Sequence, residues 1–201
     1  DQIGTFAQRV AVAEADLAPL PAGLSAIDAA SLPLVALTAW QALVERGKVT
    51  AGQKVLIHAG SGGVGTIAIQ LAKHLGAHVA TTAGARNADL VRELGAGVVI
   101  DHRTQDFEQE LSGYDLVLDS LGGDNLARSL RVLKPGGRAI GISGPPDPAF
   151  AREQGLNPVL RLAIGALSSR VRRQARRQGV SYEFLFMHAS GEQLREISAL
   201  I

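Results

Sequence analysis

The chain has 201 residues, 46% hydrophobic and 19% charged, a composition that suits a globular protein burying about 70% of its unfolded surface. A formal net charge of +1 gives no global attraction to nucleic acid or an anionic membrane, and no apolar stretch reaches the ~20 residues of a membrane span. Neither nucleic acid nor membrane is therefore expected as a partner. Cysteine is absent, which excludes disulfides and thiolate zinc sites, and the five histidines lack the close spacing of a metal-binding helix.

The opening "DQIGTFAQRV" has no basic end followed by an apolar core, so no signal peptide is predicted and a reducing, cytoplasmic location is expected. Residues 1–22 carry a strand-like "FAQRVAVAE" and a proline-marked connection, "LAPLPAGLS", follows. Two helical pieces are predicted in "AIDAASLPLVALTAWQALVERG", the first opened by a capping box of Ser25 with Asp28.

From residue 55 onward, short apolar runs alternate with helical patterns, the signature of successive βαβ units around a parallel sheet. "KVLIHA" (54–59) reads as a buried strand. Val64, Ile67, Ala68, Leu71, Ala72 and Leu75 then share one helical face, with Gly76 at the helix C-terminus. "HVATTA" (78–83) is the second strand, "NADLVRELG" a helix, "GVVID" (97–101) the third strand and "YDLVLDS" (114–120) the fourth. The helix "NLARSLRVL", the turn "KPGG" and the strand "RAIGIS" (138–143) follow, then a loop, "GPPDP", and a basic helical stretch to residue 179. "YEFLFM" reads as a last strand. "SGEQLREISALI" reads as a helix capped by Ser190 and Gln193, with Leu194, Ile197 and Leu200 or Ile201 facing inward. The predicted fold class is α/β, a doubly wound parallel sheet whose ligand crevice lies at the C-terminal ends of its strands.

Gly60, Gly62 and Gly65 fit G-x-G-x-x-G between a buried strand and an amphipathic helix, the context in which this pattern marks a dinucleotide site. Gly60 is expected to allow the tight turn, Gly62 to let backbone amides approach a pyrophosphate, and Gly65 to let helix and strand pack closely. The alternative is a purely structural glycine-rich turn. A methyltransferase loop fits less well, because His58 and Ala59 stand where those enzymes usually place an acid. An NAD site usually has an Asp or Glu about 20 residues on from the glycines, yet no acidic residue occurs between Gly60 and Ala88. The stretch Thr81 to Arg86 instead leaves room for a 2′-phosphate, with Arg86 as its bidentate partner. Arg86 as a plain surface arginine is the competing reading.

"LPLVALTAWQAL", "GQKVLIHAGSGGVGTIAIQLAKHLGA", "LGAGVVIDHRTQDF" and "LKPGGRAIGISGPPD", in this order and spacing, resemble the zinc-independent quinone oxidoreductase branch of the medium-chain dehydrogenase/reductase superfamily. The resemblance spans nearly the whole chain. It implies an NADPH-dependent reductase of quinones or related α,β-unsaturated carbonyl compounds, with a GroES-like catalytic lobe and a Rossmann lobe, often as a homodimer. It also implies the site. Ser61, Gly62, Gly63 and Val64 correspond to the pyrophosphate turn, Gly84 and Arg86 to the adenosine-phosphate contacts, and His102 to a His or Tyr position beside the adenosine end. Leu121 and Gly122 correspond to the loop that passes the ribose, Gly141, Ile142, Ser143 and Gly144 to the strand end beside the nicotinamide, and Thr38 to a helix threonine on the nicotinamide side. A bland surface role is the alternative for His102.

In the family, a GroES-like lobe of roughly 90 or more residues precedes the point matching "GTFAQRVAV", and the chain returns to that lobe after the last Rossmann helix. By this resemblance residues 1–22 are a remnant of the catalytic lobe and residues 23–201 the NAD(P)-binding Rossmann domain. No acid/base pair, Ser-His-Asp arrangement or metal cluster stands out, and no catalytic residue is assigned. Hydride transfer needs mainly positioning, because the cofactor carries the chemistry. Enoyl or alkenal reduction, and NADPH binding without catalysis, are the competing functions. One motif remains outside this scheme: "SSRVRRQARRQG" sets Arg170, Arg172, Arg173, Arg176 and Arg177 within eight residues, read as a solvated helix covering the cleft mouth or as a site for an anionic partner.

Overall fold

The computed structural model describes residues 7–201. Six parallel strands form one sheet in the order β3-β2-β1-β4-β5-β6: β1 Lys54–Ile57, β2 His78–Ala83, β3 Val98–Asp101, β4 Tyr114–Asp119, β5 Leu133–Gly141 and β6 Ser181–Phe184. Helices α1 (Ala26–Ala30) and α2 (Leu32–Trp40) precede the sheet, and α2 runs on as a π-helical segment, Gln41–Arg46. The crossovers are α3 (Gly63–His74), α4 (Ala88–Glu93), α5 (Phe107–Glu110) and α6 (Gly123–Val132). Three helices, α7 (Pro148–Glu153), α8 (Pro158–Leu167) and α9 (Ser169–Arg177), join β5 to β6, and α10 (Gly191–Ser198) closes the fold.

The central strands are apolar through their middles, Val55–Ile57 in β1 and Leu116–Leu118 in β4, because both faces are covered there. Val55, Ile57, Leu116, Leu118 and Ile140 face a layer built with Leu43, Ile69 and Ala72, from the α2 and α3 side. The alternate residues Leu56, Ala80, Val117 and Ala139 face Leu126, Leu130 and Phe107, on the α5 and α6 side. This period of two decides which side chains meet beneath the crevice.

Most of the expected elements are present, β2 at its predicted bounds and the others with shifted ends. β1 stops at Ile57 because Ala59 turns to φ 52°, outside any strand conformation. The "KPGG" turn survives as an irregularity inside β5: between the pairs Tyr114↔Leu133 and Leu116↔Arg138, β5 advances further than β4, and Gly136 takes φ 80°. Ser25 Oγ accepts from Asp28 N at 3.1 Å and Ser190 Oγ from Gln193 N at 3.2 Å, one half of each predicted cap; the Asp28 carboxylate accepts from the Ser25 hydroxyl instead of its amide, and the Gln193 side chain bonds Gln41 and Glu45. Gly76 has φ 79° just past α3.

Two expectations fail. The strand over residues 6–14 does not form: residues 7–13 are neither helix nor strand and Glu14–Asp16 is a 3-10 turn, while Phe6 lies outside the described residues. An extended segment becomes a strand only where a partner strand takes its hydrogen bonds, and none among the described residues pairs with it. In the last helix, Leu194 and Ile197 are half-buried as expected, but Leu200 and Ile201 are exposed because the helix ends at Ser198 and its apolar face ends with it.

Candidate functional site

β1 and β4 are neighbours, yet the chain leaves β1 toward β2 and leaves β4 toward β5, in opposite directions along the sheet. At such a switch point the loops diverge and open a crevice at the strand ends. The loops after β1, β2, β3, β4 and β5, with the first turn of α3 (Gly63, Val64) and the last residue of β5 (Gly141), carry every sequence-predicted site residue except Thr38.

The turn after β1 is glycine-rich for steric reasons more than for backbone freedom. Its left-handed residue is Ala59 and not Gly60, which corrects the expected division of roles. A Cβ on Gly60 would overlap the Thr81 hydroxyl, which donates to the Ile57 carbonyl at 2.7 Å. A Cβ on Gly65 would overlap the Ala59 carbonyl and stand 2.7 Å from Gly60 Cα, so the close helix–strand approach expected of Gly65 is present. Gly62 caps α3 in an extended conformation with no side-chain cap, and the first intrahelical bond runs from Thr66 N to the Gly62 carbonyl at 2.9 Å. The amides of Gly63, Val64 and Gly65 lie ahead of that bond at the positive end of a 12-residue helix, a geometry that favours an anion.

Helix α2 flanks this turn. A Cβ on Gly63 would lie 3.1 Å from Val35 Cγ1. Thr38, three residues on from Val35, is buried and donates to the Leu34 carbonyl at 2.7 Å, so its hydroxyl proton is held by its own helix.

The ends of β2 and β3 bring Gly84, Arg86 and His102 together. Gly84 opens a 3-10 turn, Ala85–Asn87, on which Arg86 is exposed, and the position of a Gly84 Cβ lies 3.7 Å from His102 Cε1. None of the ion pairs among the described residues uses Arg86. Asp101, beside Ala83 in the sheet, accepts from Arg103 N at 3.1 Å and is thus turned onto its own loop.

On the other wall, Asp119 Oδ1 accepts from Leu121 N at 3.2 Å and Gly122 N at 2.6 Å. Gly122, at φ 68°, comes so near the next loop that a Cβ would stand 2.7 Å from the Ser143 carbonyl. Gly141 and Gly144 lie over the Tyr182 ring, whose hydroxyl donates to the Pro145 carbonyl at 2.9 Å, and burial pushes that phenol well above its ordinary range. The 141–144 segment is thereby pinned to β6.

Sequence reasoning missed four polar residues under this crevice: His58, Thr82, Asp119 and Ser129, each almost fully buried. A periodic signal was available, because His58, Thr82 and Asp119 each lie two residues beyond Leu56, Ala80 and Val117 and so share their face. Away from the strand ends, an apolar cleft of about 300 Å³ lies between the Ala18–Pro21 segment, α1, the start of α2 and α10, with Ser198 its one hydroxyl-bearing lining residue among the described residues. Among the described residues, no three His, Asp or Glu side chains are grouped to hold a metal ion. No helix of the described residues is long and apolar enough to cross a membrane.

Residues 63–180, more than half of the chain, match the model of the zinc-binding dehydrogenase family. The chain belongs to that family. Within it, this zinc-binding dehydrogenase family member falls in the quinone oxidoreductase-like branch of the medium-chain dehydrogenase/reductase superfamily. It is similar to the mitochondrial NAD(P)H oxidoreductase RTN4IP1 of Danio rerio, with 37% identity over 212 residues covering 98% of this chain and 53% of that protein. It is also similar to the quinone oxidoreductase from Coxiella burnetii, with a TM-score of 0.72, 34% identity and coverage of 88% of this chain and 49% of that one. The CurK enoyl reductase matches with a TM-score of 0.66 and 31% identity over 90% of this chain and 48% of that chain. The chain thus spans about half the length of the zinc-binding dehydrogenase family proteins it matches from end to end.

Proposed function

We propose that the chain is the nicotinamide-cofactor lobe of an NADPH-dependent oxidoreductase that reduces quinones. The observation that carries this reading is the set of unpaired amides at the start of α3, placed at the β1/β4 switch point with Arg86 free at the end of β2. Ser61 to Val64 would hold the pyrophosphate, Gly84, Arg86 and His102 the adenosine end, Leu121 and Gly122 the ribose, and Gly141 to Gly144 with Thr38 the nicotinamide side. The cofactor, when bound, supplies a hydride. The residues of this chain bind and orient it. Reduction of enoyl or alkenal compounds is the second reading, favoured by the similarity to the CurK enoyl reductase. A reducing, cytoplasmic location completes the proposal.

The preference for NADPH tests the assignment. Losing a charge-assisted contact costs about 1.5 to 3 kcal/mol, roughly ten- to a hundredfold in affinity. Arg86→Ala should weaken NADPH by that factor and leave NADH nearly unchanged, as read by fluorescence titration. Equal curves for both cofactors on the unsubstituted protein would overturn the NADPH assignment.

We also propose a homodimer that joins two β6 edges. β6 is the sheet's outer strand, and Phe186 beyond it is 64% exposed beside an aromatic pair, Phe150 and Phe184, whose centroids are 5.2 Å apart. Leu185, between Phe184 and Phe186, is buried in the core and does not face the edge. Light scattering should report a dimer at micromolar concentration and a monomer for Phe186→Lys. A monomer in both, or a dimer in both, would contradict the β6 interface.

A further inference from the structure

The layer beneath the crevice repeats one rung of the sheet in polar form. Leu56 pairs in register with Ala80 of β2 and Val117 of β4, and these three close the apolar layer against α6. Two residues on, His58, Thr82 and Asp119 occupy the same face, and Ser129 of α6 meets them. His58 is 1% exposed and Asp119 and Ser129 are 0% exposed, so water does not satisfy them. His58 Nδ1 lies 3.1 Å from Thr82 Oγ1, and His58 Nε2 lies 2.8 Å from Ser129 Oγ. Thr82 Oγ1 also accepts from Ala59 N at 3.1 Å. Ser129 Oγ stands 3.3 Å from Asp119 Oδ2 and 2.8 Å from the Asn125 carbonyl in the first turn of α6.

One assignment of protons gives every donor in this chain an acceptor. Ala59 N–H donates to Thr82, the Thr82 hydroxyl to His58 Nδ1, His58 Nε2–H to Ser129, and the Ser129 hydroxyl to Asp119 Oδ2 in a bond shared with the nearer Asn125 carbonyl. The reverse order leaves the Thr82 hydroxyl without an acceptor. The forward order requires a neutral imidazole. Burial holds His58 below its ordinary pKa; the charges that bear on it, Asp119 from β4 and Arg128 from α6, oppose each other. Arg128 is itself paired with Asp106 and Glu108, and the Phe107 ring meets the imidazole edge to face at 4.8 Å. Chains polarised in one direction strengthen their members, and a broken link leaves buried groups unpaired.

The two ends of this chain decide its meaning. One end is the amide of Ala59, the left-handed residue that starts the glycine-rich turn. The other is Asp119, whose second oxygen holds the amides of Leu121 and Gly122. A polar cluster serving stability alone has no reason to end on both loops. We propose that His58 is a positioning residue that locks the glycine-rich turn after β1 to the Leu121–Gly122 turn after β4, fixing the separation of the two crevice walls. This inference rests on the cofactor reading above for its consequence, though the lock itself is independent of it.

Two measurements on the full chain test it. His58→Leu keeps side-chain bulk and removes both hydrogen bonds, Ser129→Ala breaks the next link, and His58→Gln keeps one donor and one acceptor. Amide hydrogen exchange in the absence of cofactor should speed up about tenfold or more at Ala59, Leu121 and Gly122 together in the first two variants, while Val55 and Val117 keep their protection. NADPH and NADH should both weaken by the same factor, about tenfold, leaving their ratio unchanged, and His58→Gln should recover most of the loss. Exchange that rises at one loop only, or affinities unchanged in a folded His58→Leu protein, would overturn the lock. Should His58→Leu fail to fold, Ser129→Ala decides by the same readings. Failure of the unsubstituted protein to bind either cofactor would overturn the cofactor reading, and the exchange rates would still decide the lock.

Discussion

Gly65→Ala should destabilise the chain by about 3 kcal/mol, the upper end of the usual cost of overpacking a close-packed contact. The added Cβ would meet only backbone: the Ala59 carbonyl, Gly60 Cα and Gly60 C, the last two at 2.7 and 2.9 Å. No flexible side chain can move aside, so α3 must shift away from β1 and carry the anion-facing amides with it. Gly84→Ala is the matched control. Its Cβ would reach His102 Cε1 at an ordinary 3.7 Å, and its backbone already sits at φ −78°. That variant should stay within about 0.5 kcal/mol of the parent. Urea unfolding of the two variants reads both values, and equal midpoints would show that close packing does not explain the glycine at 65.

Residues 1–201 alone should reduce a small benzoquinone at least about a hundredfold more slowly than a two-lobed enzyme of the same family, while still binding NADPH. Holding donor and acceptor at reacting distance in a water-poor cleft contributes ~7 to 11 kcal/mol to lowering a barrier. The crevice described here has a floor in the strand ends and walls in the loops after β1, β4 and β5. Nothing among the described residues stands opposite those loops to fix an acceptor over the cofactor. Stopped-flow oxidation of NADPH gives the comparison directly. Comparable rates would mean that this lobe holds the complete catalytic apparatus.

What was legible in the sequence follows from which forces act locally. β2 was read to its exact bounds because both flanks are punctuated by turn-forming residues and its interior is buried. The caps at Ser25 and Ser190 were legible because each is a contact across three residues. The end of β1 was not, since it depends on Ala59 taking a left-handed conformation that glycine would ordinarily be expected to take. Nor was the failed strand at residues 6–14, whose apolar alternation is real but whose pairing is a long-range matter. The glycine loop was found from its motif, and the structure reassigned the reason for Gly60 from backbone freedom to the approach of Thr81.

The arginine run was legible as a helix and its orientation was not. In α9, Val171 and Ala175 turn inward and Gln174 donates to the Ala127 carbonyl at 2.8 Å, leaving the arginines outward with no carboxylate partner among the described residues. The buried chain from Ala59 to Asp119 was the largest omission. A lone histidine after an apolar strand carries little information by itself. Its hydrogen-bond partners come from β2 and α6, 24 and 71 residues away in the sequence.

The most direct measurement is an amide NMR titration of the chain with NADPH. Saturable shifts should concentrate at Ser61 to Gly65, Gly84 to Arg86, Leu121 to Gly122 and Gly141 to Gly144, the loops at the C-terminal ends of β1, β2, β4 and β5. Shifts that leave Ser61 to Gly65 untouched, or that gather instead around the apolar cleft between α1 and α10, would contradict the placement of a nicotinamide cofactor at the β1/β4 switch point.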